Sequence, residues 1–215
     1  DDTAKVKTLY LLCSEHRFSD PGKALQYGKQ GESLAKQLEF NSGIATSLHY
    51  IGIVYYYQGD YDNSLDSYLK SLKIYEKSDN KKGIADNLQN IGKVYYRLHN
   101  YQKAINYLQQ SLILYEELKD SPDEAMKVAG KHGMASSLNN IGGIYDAQGN
   151  YEKTLEYLFR SLKIVEELEF KQGIATRLNN IGLMYKALGN DKKAMDYLLQ
   201  ALKIREELGE KKGIA

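Results

Sequence analysis

The chain has 215 residues, 42% of them hydrophobic and 27% charged, the balance of a folded globular protein and not of a disordered one. Its 29 lysines and arginines against 28 aspartates and glutamates leave a formal charge of +1, so no global field draws nucleic acid or an anionic membrane. One cysteine, Cys13, excludes an internal disulfide framework and most thiolate metal sites, and no apolar run approaches the ~18 residues that span a bilayer.

In chain order, residues 4–18 (AKVKTLYLLCSEHRF) have the amphipathic spacing of a helix. A second helix follows over 20–40 (DPGKALQYGKQGESLAKQLEF), opened by Asp20 as its cap and Pro21 at its first position. From residue 41 a pattern emerges that later stretches copy. Ile44, Leu48, Ile51, Val54 and Tyr55 make one apolar stripe, and Leu65, Tyr68, Leu69, Leu72 and Tyr75 make another. Between the stripes stands QGDY (58–61), matched by LHNY (98–101), QGNY (148–151) and LGND (188–191). Gly and Asn tolerate the left-handed backbone that ends a helix, and Asp or Asn caps the next one. Each unit therefore reads as a helix, a tight turn and a second, antiparallel helix. No window alternates with period two, so no strand is expected.

Aligned on Gly52, Gly92, Gly142 and Gly182, the copies are spaced 40, 50 and 40 residues apart, which marks a stacked array. The fold class is all-α, a superhelical solenoid of antiparallel helix pairs. It forms one domain with units at 1–40, 41–80, 81–130, 131–170 and 171–210, and 211–215 (KKGIA) opening a sixth copy. That last match suggests a piece of a longer protein. Residues 1–40 are a worn first unit, with Leu12 where the pattern has Gly. The longer spacing reflects an insertion, KDSPDEAMKVAGKHGMA (119–135), whose Ser121-Pro122-Asp123-Glu124 reads as a capping box. It predicts an extra helical segment before the first helix of the fourth unit, projecting from one edge and broken at Gly130 or Gly133.

Gly52 and its equivalents lie opposite Ser64, Ala104, Thr154 and Ala194 on the second helices, where small side chains allow close backbone approach, with Tyr55, Tyr95, Tyr145 and Tyr185 filling the space beside them. The pattern Leu48-x-x-Ile51-Gly52-x-x-Tyr55 followed by a small residue resembles the tetratricopeptide repeat. Leu stands where that repeat usually has Trp. Its terminal Pro is replaced by Glu76, Glu116, Glu166 and Glu206, so the second helix can continue and the period exceeds the usual ~34 residues. The longer period is similar to that of kinesin light chains, Pins-type adaptors and bacterial Rap-type peptide receptors.

The other face of each first helix varies between units. It carries Thr46, His49, Tyr50, Ile53, Tyr56 and Tyr57, then Asp86, Gln89, Asn90, Lys93, Tyr96 and Arg97. The fourth unit has Ser136, Asn139, Asn140, Gly143, Asp146 and Ala147 there, and the fifth Thr176, Asn179, Asn180, Leu183, Lys186 and Ala187. In the first unit the same places fall on Val6, Leu9, Tyr10, Cys13, His16 and Arg17. The resemblance implies that this face lines a concave groove for a protein or an extended peptide. Asn90, Asn140 and Asn180 share one place, so their amides either pair with a peptide backbone or sit solvated or bridging neighbouring helices. Tyr50, Tyr56, Tyr57 and Tyr96 form either an aromatic wall or packing between units. Lys93, Arg97 and Lys186 either meet an anionic group of a ligand or form a mixed face with Asp86 and Asp146.

No arrangement for catalysis, cofactor or metal emerges. His16, His49, His99 and His132 fall at unmatched places, Cys13 and His16 lack a third ligand, and neither GKALQYG nor GKQGES is a phosphate loop. The expected function is a peptide- or protein-binding scaffold without enzymatic activity, nucleic-acid partner or membrane insertion in this segment. An alternative is the input domain of a bacterial membrane-bound histidine kinase or nucleotide cyclase, which residues 1–45 resemble. The compartment is then periplasmic, and otherwise cytoplasmic or periplasmic. Self-association is expected through the last helix, with Leu198, Leu202 and Ile204 on its outward face.

Overall fold

A computed structural model describes residues 2–209, and these form ten α-helices and no strand. They are α1 (Asp2–His16), α2 (Pro21–Gln37), α3 (Asn41–Gln58), α4 (Tyr61–Lys77), α5 (Lys81–Arg97), α6 (Tyr101–Lys119), α7 (Glu124–Ala147), α8 (Tyr151–Glu167), α9 (Lys171–Ala187) and α10 (Asp191–Glu207). Two compact units divide the chain at residues 107 and 108, inside α6. The first holds the pairs α1/α2 and α3/α4 with α5, and the second holds α7/α8 and α9/α10. The copy beginning at 211–215 lies outside the described residues.

One turn design joins most helices, and the sequence specifies it. Gly59, Gly149 and Gly189 adopt φ of 78°, 72° and 72°, and His99 takes the same left-handed role at 57°. The next residue donates its N–H back five residues, as in Asp60 N to Tyr55 O and Asn150 N to Tyr145 O, which closes the helix. That same residue then caps the following helix: Asp60 accepts from Asn63 N, Asn150 from Lys153 N and Asn190 from Lys193 N. One side chain thus ends one helix and starts another, which makes the hairpin short and its geometry reproducible.

Within a pair, small residues and hydroxyls set the approach. Ser64 Oγ donates to Gly52 O at 2.9 Å, Ser71 Oγ to Ala45 O at 2.8 Å and Ser161 Oγ to Ala135 O at 2.7 Å. A Cβ on Gly52 would meet the Tyr68 ring at 2.8 Å, and one on Gly182 would meet Leu198 at 2.8 Å. Tyr145 stacks on Tyr157 and Tyr185 on Tyr197, both with centroids 5.5 Å apart, and Lys153 and Lys193 lie over the outer rings at 4.9 Å. The main core of the second unit joins Leu158, Leu162, Val165, Leu178, Ile181 and Met184. Burying one such aliphatic side chain contributes roughly 1.5–3 kcal/mol. Because Glu76, Glu166 and Glu206 replace a terminating Pro, α4, α8 and α10 run one residue further, to Lys77, Glu167 and Glu207.

The structure corrects three expectations. In the first unit Cys13, and not Leu12, occupies the packing place: it is buried with Ala24 and Val54 and sits 3.0 Å from where a Gly28 Cβ would be. Arg17, Phe18 and Ser19 form that turn without a left-handed residue. Cys13 stands seven residues before its cap Asp20, whereas Gly52 stands eight before Asp60. A one-residue slip turns a helix by about 100° at 3.6 residues per turn, so Val6 and Cys13 enter the core and leave the variable face. The insertion, second, continues directly into α7. Its cap is Asp123, which accepts from Ala125 N and Met126 N, while Ser121 Oγ accepts from Asp123 N. Gly130 and Gly133 do not break the helix. They let it press on α6, because a Cβ at Gly130 would lie 2.7 Å from Lys119 N and one at Gly133 would lie 2.3 Å from the Tyr115 ring. Third, Leu198 packs on Gly182 and Ile204 against the second unit's core, so the exposed apolar residues of α10 are Met195 and Leu199.

Candidate functional site

Each unit opens a cleft lined by variable positions of its first helices. In the first unit, Ser14, Arg17, Ile53, Tyr56, Tyr57, Tyr68, Asn90 and Lys93 enclose about 200 Å³. Tyr56 and Tyr57 come from the last turns of α3, one residue apart, and their rings meet edge to face at 5.3 Å. Tyr57 also meets Phe18 at 4.6 Å, and the Arg17 guanidinium lies 4.5 Å from the Phe18 centroid. Arg17 also donates to the carbonyl and hydroxyl oxygens of Ser14. Lys93 projects from α5 with its ammonium 5.9 Å from the Tyr56 ring. Burial pulls the Lys93 pKa down, partly opposed by the Asp86 carboxylate. Asp86 itself is paired with Lys82 at 2.7 Å. The lining therefore holds two cations, three phenols and one amide, with no carboxylate. Such a wall suits a ligand with an acidic or acceptor-rich segment.

His49 backs this cleft. Its Nδ1 lies 3.3 Å from Asn87 Oδ1, and the Asn87 amide donates on to Gly83 O. Its Nε2 faces Asn90 Nδ2 at 3.5 Å. The pattern fits a neutral ring protonated at Nδ1, accepting weakly at Nε2. Removal from water lowers the His49 pKa, with Asp86 acting in the opposite sense. Asn90 is thus only 7% exposed and directs its amide inward, to the histidine.

In the second unit, Asn139, Gly143, Asp146, Thr154, Leu158, Asn180, Leu183 and Met184 enclose about 160 Å³. Asn180 Nδ2 donates to Asn139 Oδ1 at 3.4 Å, across α9 and α7. Asn140 is not part of this lining, and its Nδ2 is buried without a hydrogen-bond partner.

Of the residues expected on the groove, Tyr56, Tyr57, Asn90 and Lys93 meet in the first cleft and Asn139, Asp146 and Asn180 in the second. Tyr50 instead stacks on Tyr10 at 5.7 Å and packs beside Cys13 and Ala24. Arg97 donates from Nε to the Tyr61 hydroxyl at 2.9 Å, and Tyr96 faces Tyr101 at 6.1 Å. Gln89 and Asn179 are half-buried and Lys186 exposed, outside both linings. Sequence reasoning missed Tyr68 and Thr154, which it assigned to the helix pair, and Ser14, Leu158 and Met184, which it did not single out. Tyr68 had a readable signal: the equivalent positions hold Leu108, Leu158 and Leu198, so its ring is out of pattern and reaches the cleft over Gly52.

Among the described residues no group of three His, Cys, Asp or Glu side chains is placed to hold a metal ion, and no helix is long and apolar enough to cross a membrane. Cys13 is buried, and desolvation pushes its thiol pKa up to about 12, which suppresses the nucleophilic thiolate.

The model of the tetratricopeptide repeat matches residues 43–117 and 133–207, more than half of the sequence. The chain belongs to the tetratricopeptide repeat family. No curated protein sequence matches it. Among solved structures, this tetratricopeptide chain is similar to BtubC (BKLC) from P. vanneervenii, at 20% identity and a TM-score of 0.79, over 97% of this chain and 83% of that one. A putative kinesin light chain from Podosopora anserina with nearly identical repeats matches at 13% identity and 0.71, over 97% and 98%. A Rap protein complexed with Competence and Sporulation Factor matches at 18% and 0.80, over 96% of this chain and 55% of its own length. At these identities the likeness establishes the tetratricopeptide fold alone: an all-α arrangement of antiparallel helix pairs in series.

Proposed function

We propose that this chain is a peptide-binding module without chemistry of its own, which seats an extended segment of a partner protein in a cleft of its first helices. The observation that carries this reading is where the variable residues go. Tyr56, Tyr57 and Lys93 come from the face that differs between copies of the repeat, and they gather with Arg17 around one opening. Tyrosine and arginine combine large contact area with hydrogen-bonding ends, the composition of a recognition surface. The Rap protein solved with Competence and Sporulation Factor shares the fold and supports the same use of it.

Selection of a displayed random 12-residue peptide library on the intact chain tests this. Selected peptides should lose about tenfold in affinity for Lys93→Met and for Tyr57→Ala, a change of ~1.4 kcal/mol, with unchanged melting temperature. Peptides that bind both variants as well as the parent, or a library that yields no binder, would overturn the reading.

A further inference from the structure

Gly143 is the unexplained residue of the second cleft. It sits in the interior of α7, where glycine costs about 1 kcal/mol relative to alanine. Tight packing forces the choice at Gly130 and Gly133, but a Cβ on Gly143 would meet nothing within 4 Å. The equivalent places in the second, third and fifth copies of the repeat hold Ile53, Lys93 and Leu183, all with long side chains. Glycine at this place leaves open, in the second cleft, the space that a longer side chain on α7 would take.

What remains is a small, polarised pocket. Leu158, at 3% exposure, and Met184, at 9%, are buried lining residues, and Leu183 stands exposed beside them. The Thr154 hydroxyl is engaged by Asn150 O at 2.9 Å and Gly142 O at 3.3 Å, so it is not available to a ligand as a donor. The single bond from Asn180 Nδ2 to Asn139 Oδ1 leaves the Asn139 amide hydrogens and the Asn180 carbonyl oxygen for one donor and one acceptor of a guest. Asp146 is the only charged lining residue, is exposed, and has no ion-pair partner among the described residues. The volume, about 160 Å³, is below the ~300 Å³ where sites for drug-sized ligands begin and is on the scale of one aliphatic side chain.

We infer that the Gly143 pocket is a specificity subsite for a peptide residue of leucine, isoleucine or methionine type with a lysine or arginine next to it. The aliphatic chain fills the space over Leu158 and Met184, the Asn139/Asn180 pair holds the adjoining peptide group, and Asp146 meets the cation. This inference rests on the peptide reading given above and adds to it which residue is read, and where.

The probes are capped dipeptides followed by amide chemical shifts in the intact chain. N-acetyl-Leu-Lys-amide at about 10 mM, enough for a millimolar site, should move the signals of Asn139, Gly143, Asn180 and Leu183. N-acetyl-Ser-Lys-amide should not, and N-acetyl-Leu-Glu-amide should bind at least about threefold more weakly, as should the Leu-Lys probe to Asp146→Asn. Gly143→Leu should abolish the Leu-Lys response while raising the melting temperature, because leucine favours helix. No shift with any probe, equal shifts with the serine probe, or an undiminished response in Gly143→Leu would overturn the inference. The library selection separates the two readings. If peptides are selected and remain sensitive to Lys93→Met, while Gly143→Leu leaves their sequences unchanged, this subsite fails and the binding function stands.

Discussion

At the scale of single residues, backbone conformation and protonation are the levers. Gly149 has φ of 72° and open space where a side chain would stand, so Gly149→Ala tests left-handed strain without added clash. That strain is about 1–2 kcal/mol for an alanine, and urea unfolding should show a loss of about 1 kcal/mol. Gly149→Asn should lose less, since asparagine tolerates the region. His49 gives a second residue-level expectation. Its folded pKa lies below the ordinary value of 6.5, so the unfolded chain takes up the proton first. Stability is therefore full above pH ~6.5 and falls as the pH drops below it. Protonation would also set an Nε2–H against the Asn90 amide donor. Melting temperature measured between about pH 7.5 and 5.5 should fall more for the parent than for His49→Gln, which cannot titrate in that range.

At the scale of helices, the insertion shows how a sequence signal and a packing constraint combine. Asp123 starts α7, and the helix then continues through two glycines that helix propensity alone would count against. Both are required by α6, whose backbone at Lys119 and ring at Tyr115 occupy the space of their side chains. Gly130→Ala should push α7 away from α6 and cost about 1–3 kcal/mol, the range for overpacking. Hydrogen exchange should find amides protected from about residue 128 onward in the parent and less so in the variant. Equal protection in both would show that the glycine is not what seats this segment. The register of α1 belongs to this scale too. A turn without Gly or Asn, and one residue fewer between packing position and cap, rotate the helix so that Cys13 enters the core.

At the scale of the whole molecule, the clefts lined by the variable face differ in charge: Lys93 and Arg17 in the first unit, Asp146 in the second. A formal charge of +1 hides this difference, since it sums over both. Charge reversal at one cleft should accordingly change which peptides are selected without altering solubility. Ion pairs that join first and second helices, Lys131 with Glu167 and Lys171 with Glu207, both at 3.0 Å, hold their carboxylates below the usual range but are solvent-exposed. Their contribution is present near neutral pH and fades as acid protonates the glutamates, and salt screens it.

By itself, the sequence determined the helix pairs, their turns and the repeat family, because apolar spacing, capping residues and left-handed glycines are local and recur four times. It also marked the variable face from which Tyr56, Tyr57, Lys93, Asn139 and Asp146 come. Tertiary packing alone decided which of those side chains reach an opening. Asn90 lines the first cleft with its amide turned to His49, Tyr50 turns to Tyr10 instead, and Tyr68 arrives from the second helix; all three depend on partners in neighbouring helices. Periodicity assigns a residue to a face of its own helix; whether that face meets solvent, a ring or another amide is set by the helix packed against it.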